Sequence, residues 1–175
     1  PSSNIQVKLN DLPPPPEPTE DETPDSYLKK VSGYGKFVSV ILTEKPSEFK
    51  EKCLDHFLKE YFDFARDPLD IAMRKLLIFL ELPKEAQQID RLLLGFAKVY
   101  YQKQKSYYGG NCPWTKDSQV YFAIFSLLML HTDYFNPNNK HKMTKQEFVS
   151  LVHEDTYSEG DKIPLAILGY YFDNI

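Results

Sequence analysis

Apolar side chains recur along this chain with the period of a helix. Phe49, Cys53, Phe57 and Tyr61 repeat every four positions, with Leu54, Leu58 and Phe62 beside them. Two adjoining stripes of this kind give a helix that packs on two sides. Asp67-Pro68 then supplies an N-cap followed by Pro at the first helical position. Leu69, Ala72, Met73, Leu76, Leu77 and Leu80 follow with i, i+3, i+4 spacing. Pro83 closes that helix and opens another, expected to bury Ala86, Ile89, Leu93, Phe96 and Tyr100. Gly109-Gly110 and Pro113 mark a loop before an apolar helix expected to end near Thr132. Thr144 with Glu147 forms a capping box ahead of Phe148, Leu151 and Val152, and Pro164 opens a last helix carrying Leu168, Tyr171 and Ile175. Upstream, Tyr27–Leu42 is weakly periodic and broken by Gly33 and Gly35, which predicts one short, interrupted helix. No alternating run flanks a hairpin turn and no internal repeat appears, so the predicted fold class is all-α, a multi-helix array.

The polar stretches refine this picture. Seven of the 13 prolines fall within residues 1–26, including the run Pro13–Pro16. Proline fixes φ and lacks an N–H, so this stretch reads as an extended or disordered acidic linker rather than helix or central strand. Lys+Arg number 21 and Asp+Glu 25, a net charge of −4. Six acids and one lysine lie in 1–26, which leaves the body near neutrality and argues against a nucleic-acid binder. No formally charged residue lies between Asp117 and Asp133, but the apolar centre, Val120–Leu130, falls short of the ~20 residues a bilayer span needs. It reads as a buried core helix. The two cysteines, Cys53 and Cys112, are too far apart in sequence to suggest a disulfide framework or zinc knuckle, and a reducing compartment is the simpler setting. The first residue is Pro1, so the chain reads as a cut from a longer protein.

Familiar catalytic arrangements are absent. The four histidines, His56, His131, His141 and His153, are scattered, and His131, Asp133 and His141 offer no closed zinc ligand set. A calcium loop counted from Asn136 has Asn138 and Glu147 in register, but Lys140 and His141 stand where an oxygen ligand and a glycine are needed. No glycine-rich phosphate loop exists, and no cofactor is expected.

Two segments carry a resemblance. Leu82-Pro83-Lys84-Glu85-Ala86-Gln87-Gln88-Ile89-Asp90-Arg91 is similar to the first signature of the Sec-seven domain family, guanine-nucleotide exchange factors for Arf GTPases. Some forty residues on, Met129-Leu130-His131-Thr132-Asp133-Tyr134-Phe135-Asn136-Pro137 resembles the second. Gly160-Asp161-Lys162-Ile163-Pro164 is similar to the family's C-terminal end. The resemblance is good from about Cys53 to Ile175 and loose over 27–52. It implies a helical domain over 27–175, with a partial N-terminal lobe at 27–82 and a catalytic C-terminal lobe at 83–175, preceded by the Pro-rich segment 1–26.

The resemblance also implies roles. Glu85 matches the carboxylate that projects into the GTPase nucleotide site. Phe125, Leu128 and Met129 match a groove for the GTPase switch regions, and Asp90 and Asn136 match polar positions around it. Read from the residues alone, Glu85 is a first-turn acid favoured by free helix N–H groups, the apolar three are core, and Asn136 is a turn residue. Arg91 reads as the structural partner of a nearby acid and is left out of the site. Lys84 stands where the family usually has Gly, Glu81 where Arg is usual, His131 for Asn and Phe135 for His. At four groove positions that track brefeldin-type inhibition, Phe125, Ser126, Asp133 and Met143 match the sensitive pattern in three, which implies intermediate sensitivity. The implied partner is an Arf-family small GTPase, with no nucleic acid and no transmembrane segment. The implied location is cytoplasmic, peripheral to Golgi or endosomal membranes. The competing readings are an exchange-inactive docking module, favoured by Lys84 and Glu81, and a helical scaffold.

Overall fold

A computed structural model describes residues 8–135 and 144–147, the side chains at 129 and 131–135 excepted. Among these residues there are six α-helices and no strand: α1 Pro24–Val31, α2 Val38–Thr43, α3 Glu48–Tyr61, α4 Leu69–Phe79, α5 Ala86–Tyr108 and α6 Asp117–Phe135. The expected all-α class is what the molecule adopts. Helix α5 is the axis: α2 and α3 pack on one side of it and α6 on the other, while α1 covers α3 and α4 abuts α6. Leu92, Phe96 and Val99 of α5 are wholly buried, as are Leu58 of α3, Leu76 of α4 and Ile124 and Leu127 of α6. Each such side chain contributes about 1.5–3 kcal/mol by leaving water.

Local chemistry sets the boundaries. The Thr23 hydroxyl caps α1 by accepting from Ser26 N at 3.2 Å, with Pro24 entering the first turn. A 3-10 turn over Ser32–Phe37 separates α1 from α2, and its kink sits at Gly35, where φ is +57°. A side chain disfavours that conformation, which is why the predicted interruption falls at a glycine. The Ser47 hydroxyl accepts from Lys50 N at 3.1 Å and caps α3, so Pro46 lies just outside the helix. Gly109, also at φ +57°, ends α5. The Thr144 hydroxyl accepts from Glu147 N at 3.2 Å, the hydroxyl's half of the expected capping box, and donates to the Glu147 carboxylate at 3.1 Å.

Four expectations are corrected. Asp67 does not cap α4: Pro68 occupies the cap and the Asp67 carboxylate pairs with Lys75 at 2.6 Å. Tyr61 is 57% exposed, because α3 ends there and its stripe runs past the neighbours that would cover it. Ala86 is exposed at the first position of α5. The helix expected to end near Thr132 continues to Phe135. The last helix after Pro164 lies outside the described residues.

The Pro-rich stretch runs over the helices rather than away from them. Tyr27, almost wholly buried, donates its hydroxyl to Pro16 O at 2.9 Å. Tyr34 donates to Pro13 O at 2.9 Å and Pro14 O at 3.1 Å. Proline cannot donate, but its carbonyl accepts as any other does. Glu17 pairs with Lys45 at 2.8 Å, and Leu9–Asp11 form a 3-10 turn whose Asp11 carboxylate accepts from Lys8 N. Cys53 is fully buried, its thiol pushed up to about 11 by that burial, and Cys112 is half-exposed in the loop after α5.

Candidate functional site

Glu85 stands at the N-cap of α5, one residue earlier than a first-turn position. Its backbone carbonyl accepts from Gln88 N and Ile89 N, both at 3.0 Å, so the main chain is already part of the helix. Its carboxylate makes no cap bond and is exposed. A Ser or Asp at a cap turns its short side chain back on the helix. The longer Glu85 does not, and its charge is left to solvent.

The turn beneath Glu85 is fixed from behind. Leu80 ends α4 in extended geometry, Glu81 N donates to Lys36 O at 2.9 Å, and the Ser39 hydroxyl donates to Glu81 O. The Glu81 carboxylate pairs with Lys36 at 3.4 Å. The acid found where the family usually has Arg is therefore compensated within the fold. Lys84 is exposed and forms no ion pair with Glu85. It also avoids the left-handed region, since Lys45 is the one non-glycine described with positive φ. The Gly normally found at that position is not needed for its backbone freedom here.

A connected surface extends from this turn onto α6. Asp90, exposed on α5, accepts a hydrogen bond from the Tyr121 hydroxyl. That bond, then partial burial and the Asp90 charge, push the Tyr121 phenol up to about 12. Tyr121 stacks on Phe125 with ring centres 6.3 Å apart, and Phe125 is 47% exposed. Leu128 is half-buried against the core. Val120, Ala123, Ile124 and Leu127 are buried, so α6 uses one side for the core and shows Phe125 on another. The structure thus joins Asp90 to Phe125 through Tyr121, a residue the sequence reading did not include. The signal was present: Tyr121 lies one turn before Phe125.

Ser126 is buried and donates to Phe122 O at 2.7 Å. Met129 lies on α6, while Asn136 and Met143 lie outside the described residues. Arg91 donates to Thr43 O at 2.6 Å, so its partner is a carbonyl at the end of α2 rather than an acid. Among the described residues no cluster of His, Cys, Asp or Glu is arranged to hold a metal ion.

Comparison with known proteins agrees with this architecture. The Sec7 domain model matches residues 28–175. The chain is 58% identical over 174 residues to the Arf guanine nucleotide exchange factor SYT1 of Saccharomyces cerevisiae, a match covering 98% of this chain and 14% of that protein. It is 34% identical over 162 residues to the Arf guanine nucleotide exchange factor sec74 of Schizosaccharomyces pombe, covering 91% of this chain and 16% of the relative. The chain therefore spans only a small part of these curated relatives. Among solved structures, that of ARF1-GDP bound to a Sec7 domain complexed with brefeldin A aligns at TM-score 0.69 and 27% identity, over 89% of this chain and 75% of that one. The Sec7p catalytic domain aligns at TM-score 0.64 and 29% identity, over 78% of this chain and 67% of that one. With six helices and no strand among the described residues, and a family match over residues 28–175, the chain belongs to the Sec7 domain family.

Proposed function

We propose that this chain is a guanine-nucleotide exchange module for an Arf-family small GTPase, with Glu85 as the carboxylate that displaces GDP. The observation that carries the reading is the exposed Glu85 carboxylate, without a bond to its own helix, on a turn pinned by Lys36 and Ser39. The turn is fixed in place, and the side chain it carries is free to enter a partner. The names of the relatives, exchange factors for Arf, support the same direction.

The chemistry is electrostatic, and no covalent bond of the nucleotide changes. A carboxylate brought beside the β-phosphate repels it and competes for the Mg²⁺ and the lysine that hold it. At 4 Å, like charges interact by about 1 kcal/mol in bulk water and about 4 kcal/mol in a half-screened interface, so exclusion of water magnifies the effect. Phe125 and Leu128 offer apolar surface to the GTPase switch regions, and Met129 is proposed for the same groove. Asp90 and Asn136 are proposed at the polar edge of that groove. By linkage, tight binding of the nucleotide-free GTPase weakens GDP binding by the same factor. Peripheral action at Golgi or endosomal membranes belongs to the same proposal. Among the described residues no helix is long and apolar enough to cross a membrane.

The second reading, docking without exchange, rests on Lys84, whose ammonium lies one residue from the finger. Release of a fluorescent GDP from an Arf-family GTPase separates the two. The parent chain is expected to accelerate release and Glu85→Lys to abolish the acceleration while still binding the GTPase. A parent that binds without accelerating release hands the case to the docking module.

A further inference from the structure

The 3-10 turn at Leu9–Asp11 stands next to the Glu85 turn, and the two face each other across a cleft. Lys8, Leu9 and Asn10 form one wall, and Pro83, Lys84 and Glu85 stand on the other, around a volume of about 340 Å³. The first wall is held firmly. Tyr27 and Tyr34 hook the carbonyls of Pro16, Pro13 and Pro14, and Glu17 is paired with Lys45. Lys45 keeps a left-handed backbone, φ +47°, an unusual conformation for a lysine, at this anchor. Within the turn, the Asp11 carboxylate is engaged by Lys8 N, while Leu9 is only half-buried and the Lys8 side chain is exposed. No ion pair links Lys8 or any other residue of this strap to Glu85, and Glu85 remains exposed. A strap acting as a brake would cover or neutralise the finger, and this one does neither.

We propose that the Pro-rich strap is a second docking wall for the GTPase, so that residues 8–10 touch the partner when Glu85 enters its nucleotide site. The inference rests on the exchange reading for its partner, because the cleft is continuous with the turn that carries Glu85. Of the charged side chains that line the cleft, Lys36 and Glu81 pair with each other, which leaves Lys8 and Lys84 against Glu85. With Glu85 committed to the nucleotide site, Lys8 and Lys84 remain to receive an acidic segment of the GTPase beside it. The strap would raise affinity and select among GTPases without taking part in displacement.

The test uses the full chain in three forms: the parent, Lys8→Glu with Leu9→Ser, and Tyr27→Phe with Tyr34→Phe, which unhooks the strap while leaving its cleft residues intact. Affinity for the nucleotide-free GTPase and GDP-release kinetics are both measured, with circular dichroism melts to show each variant folded. Both variants are expected to bind about tenfold more weakly and to raise KM correspondingly, with kcat within about twofold of the parent. Unchanged affinity, faster release, or a loss confined to kcat overturns the proposal. Because binding is read separately, a parent that binds but does not exchange sinks the exchange reading alone. A parent that does not bind sinks both.

Discussion

Helix α4 has a turn at each end, and α5 treats them oppositely. The turn before it, Phe62–Pro68, is sewn down. Buried Gln104 donates its amide to Phe64 O, Ala65 O and Asp67 O at 2.8–3.3 Å, Tyr100 donates to Asp67 O at 2.7 Å, and Lys103 reaches Phe62 O. The Phe64 ring fills the interior against Phe96 at 5.1 Å. The turn after α4 is held at its base, by Lys36 and Ser39 with Leu82 on the core and Pro83 buried, and its tip shows Lys84 and Glu85 to solvent. One end of α5 spends its side chains on satisfying carbonyls, and the other leaves a charge unspent. The contrast is what separates a structural connection from one available to a partner.

Phe64→Ala should disturb the sewn turn most, costing about 3–5 kcal/mol through the lost transfer energy and the cavity left behind. Denaturant unfolding measures this directly, and a cost near zero would mean that the ring's packing contributes little. Next comes Gln104→Leu, which strips a buried donor from three carbonyls and should cost about 1–3 kcal/mol. At the other end of α4, Glu85→Ala should leave the melting curve within about 0.5 kcal/mol of the parent. A clear destabilisation there would erase the contrast. Tyr121→Phe removes the bond to Asp90 at a partly exposed place and should cost about 0.5–1 kcal/mol. Because the Tyr121 phenol is raised to about 12, folding disfavours its ionised form. The contribution is full below the ordinary phenol value near 10 and fades as pH rises towards 12, which a spectrophotometric tyrosine titration of parent and variant should reveal. The smallest effect concerns the strap. The Lys45 ammonium bonded to Glu17 holds its carboxyl below the usual range. The pairing is therefore present above the ordinary carboxylate value and is lost as pH falls through the lowered one. Tyr34 resonances should shift only below about pH 4, ahead of those of Phe64.

Much of this was legible in the chain. Periodicity located α3 to α6, because packing of an apolar face is what forms them, and Gly35 and Gly109 fall where left-handed backbone is required. The residues around Glu85 were legible through a family signature rather than through physics, since a lone acid near a helix start is ordinary. What escaped was long-range pairing. Asp67 beside Pro68 looks like a cap until Lys75 claims its carboxylate, and the acceptor for Arg91 is a main-chain carbonyl with no residue code. Nothing local marks Tyr121 as the link to Asp90, since that hydroxyl partner lies on another helix, 31 residues earlier. Composition likewise showed where Pro13–Pro16 would be extended but not what would hold their carbonyls.

The depth of Cys53 has a practical consequence. Thiol reagents attack the thiolate, and a fully buried sulfur pushed up to about 11 is closed to them on both counts. Cys112 is half-exposed, so a maleimide dye should settle there alone on the native chain. Each molecule would then carry one reporter of its own state and, in Cys53, a sealed counter that takes a second dye only when α1 comes away from α3.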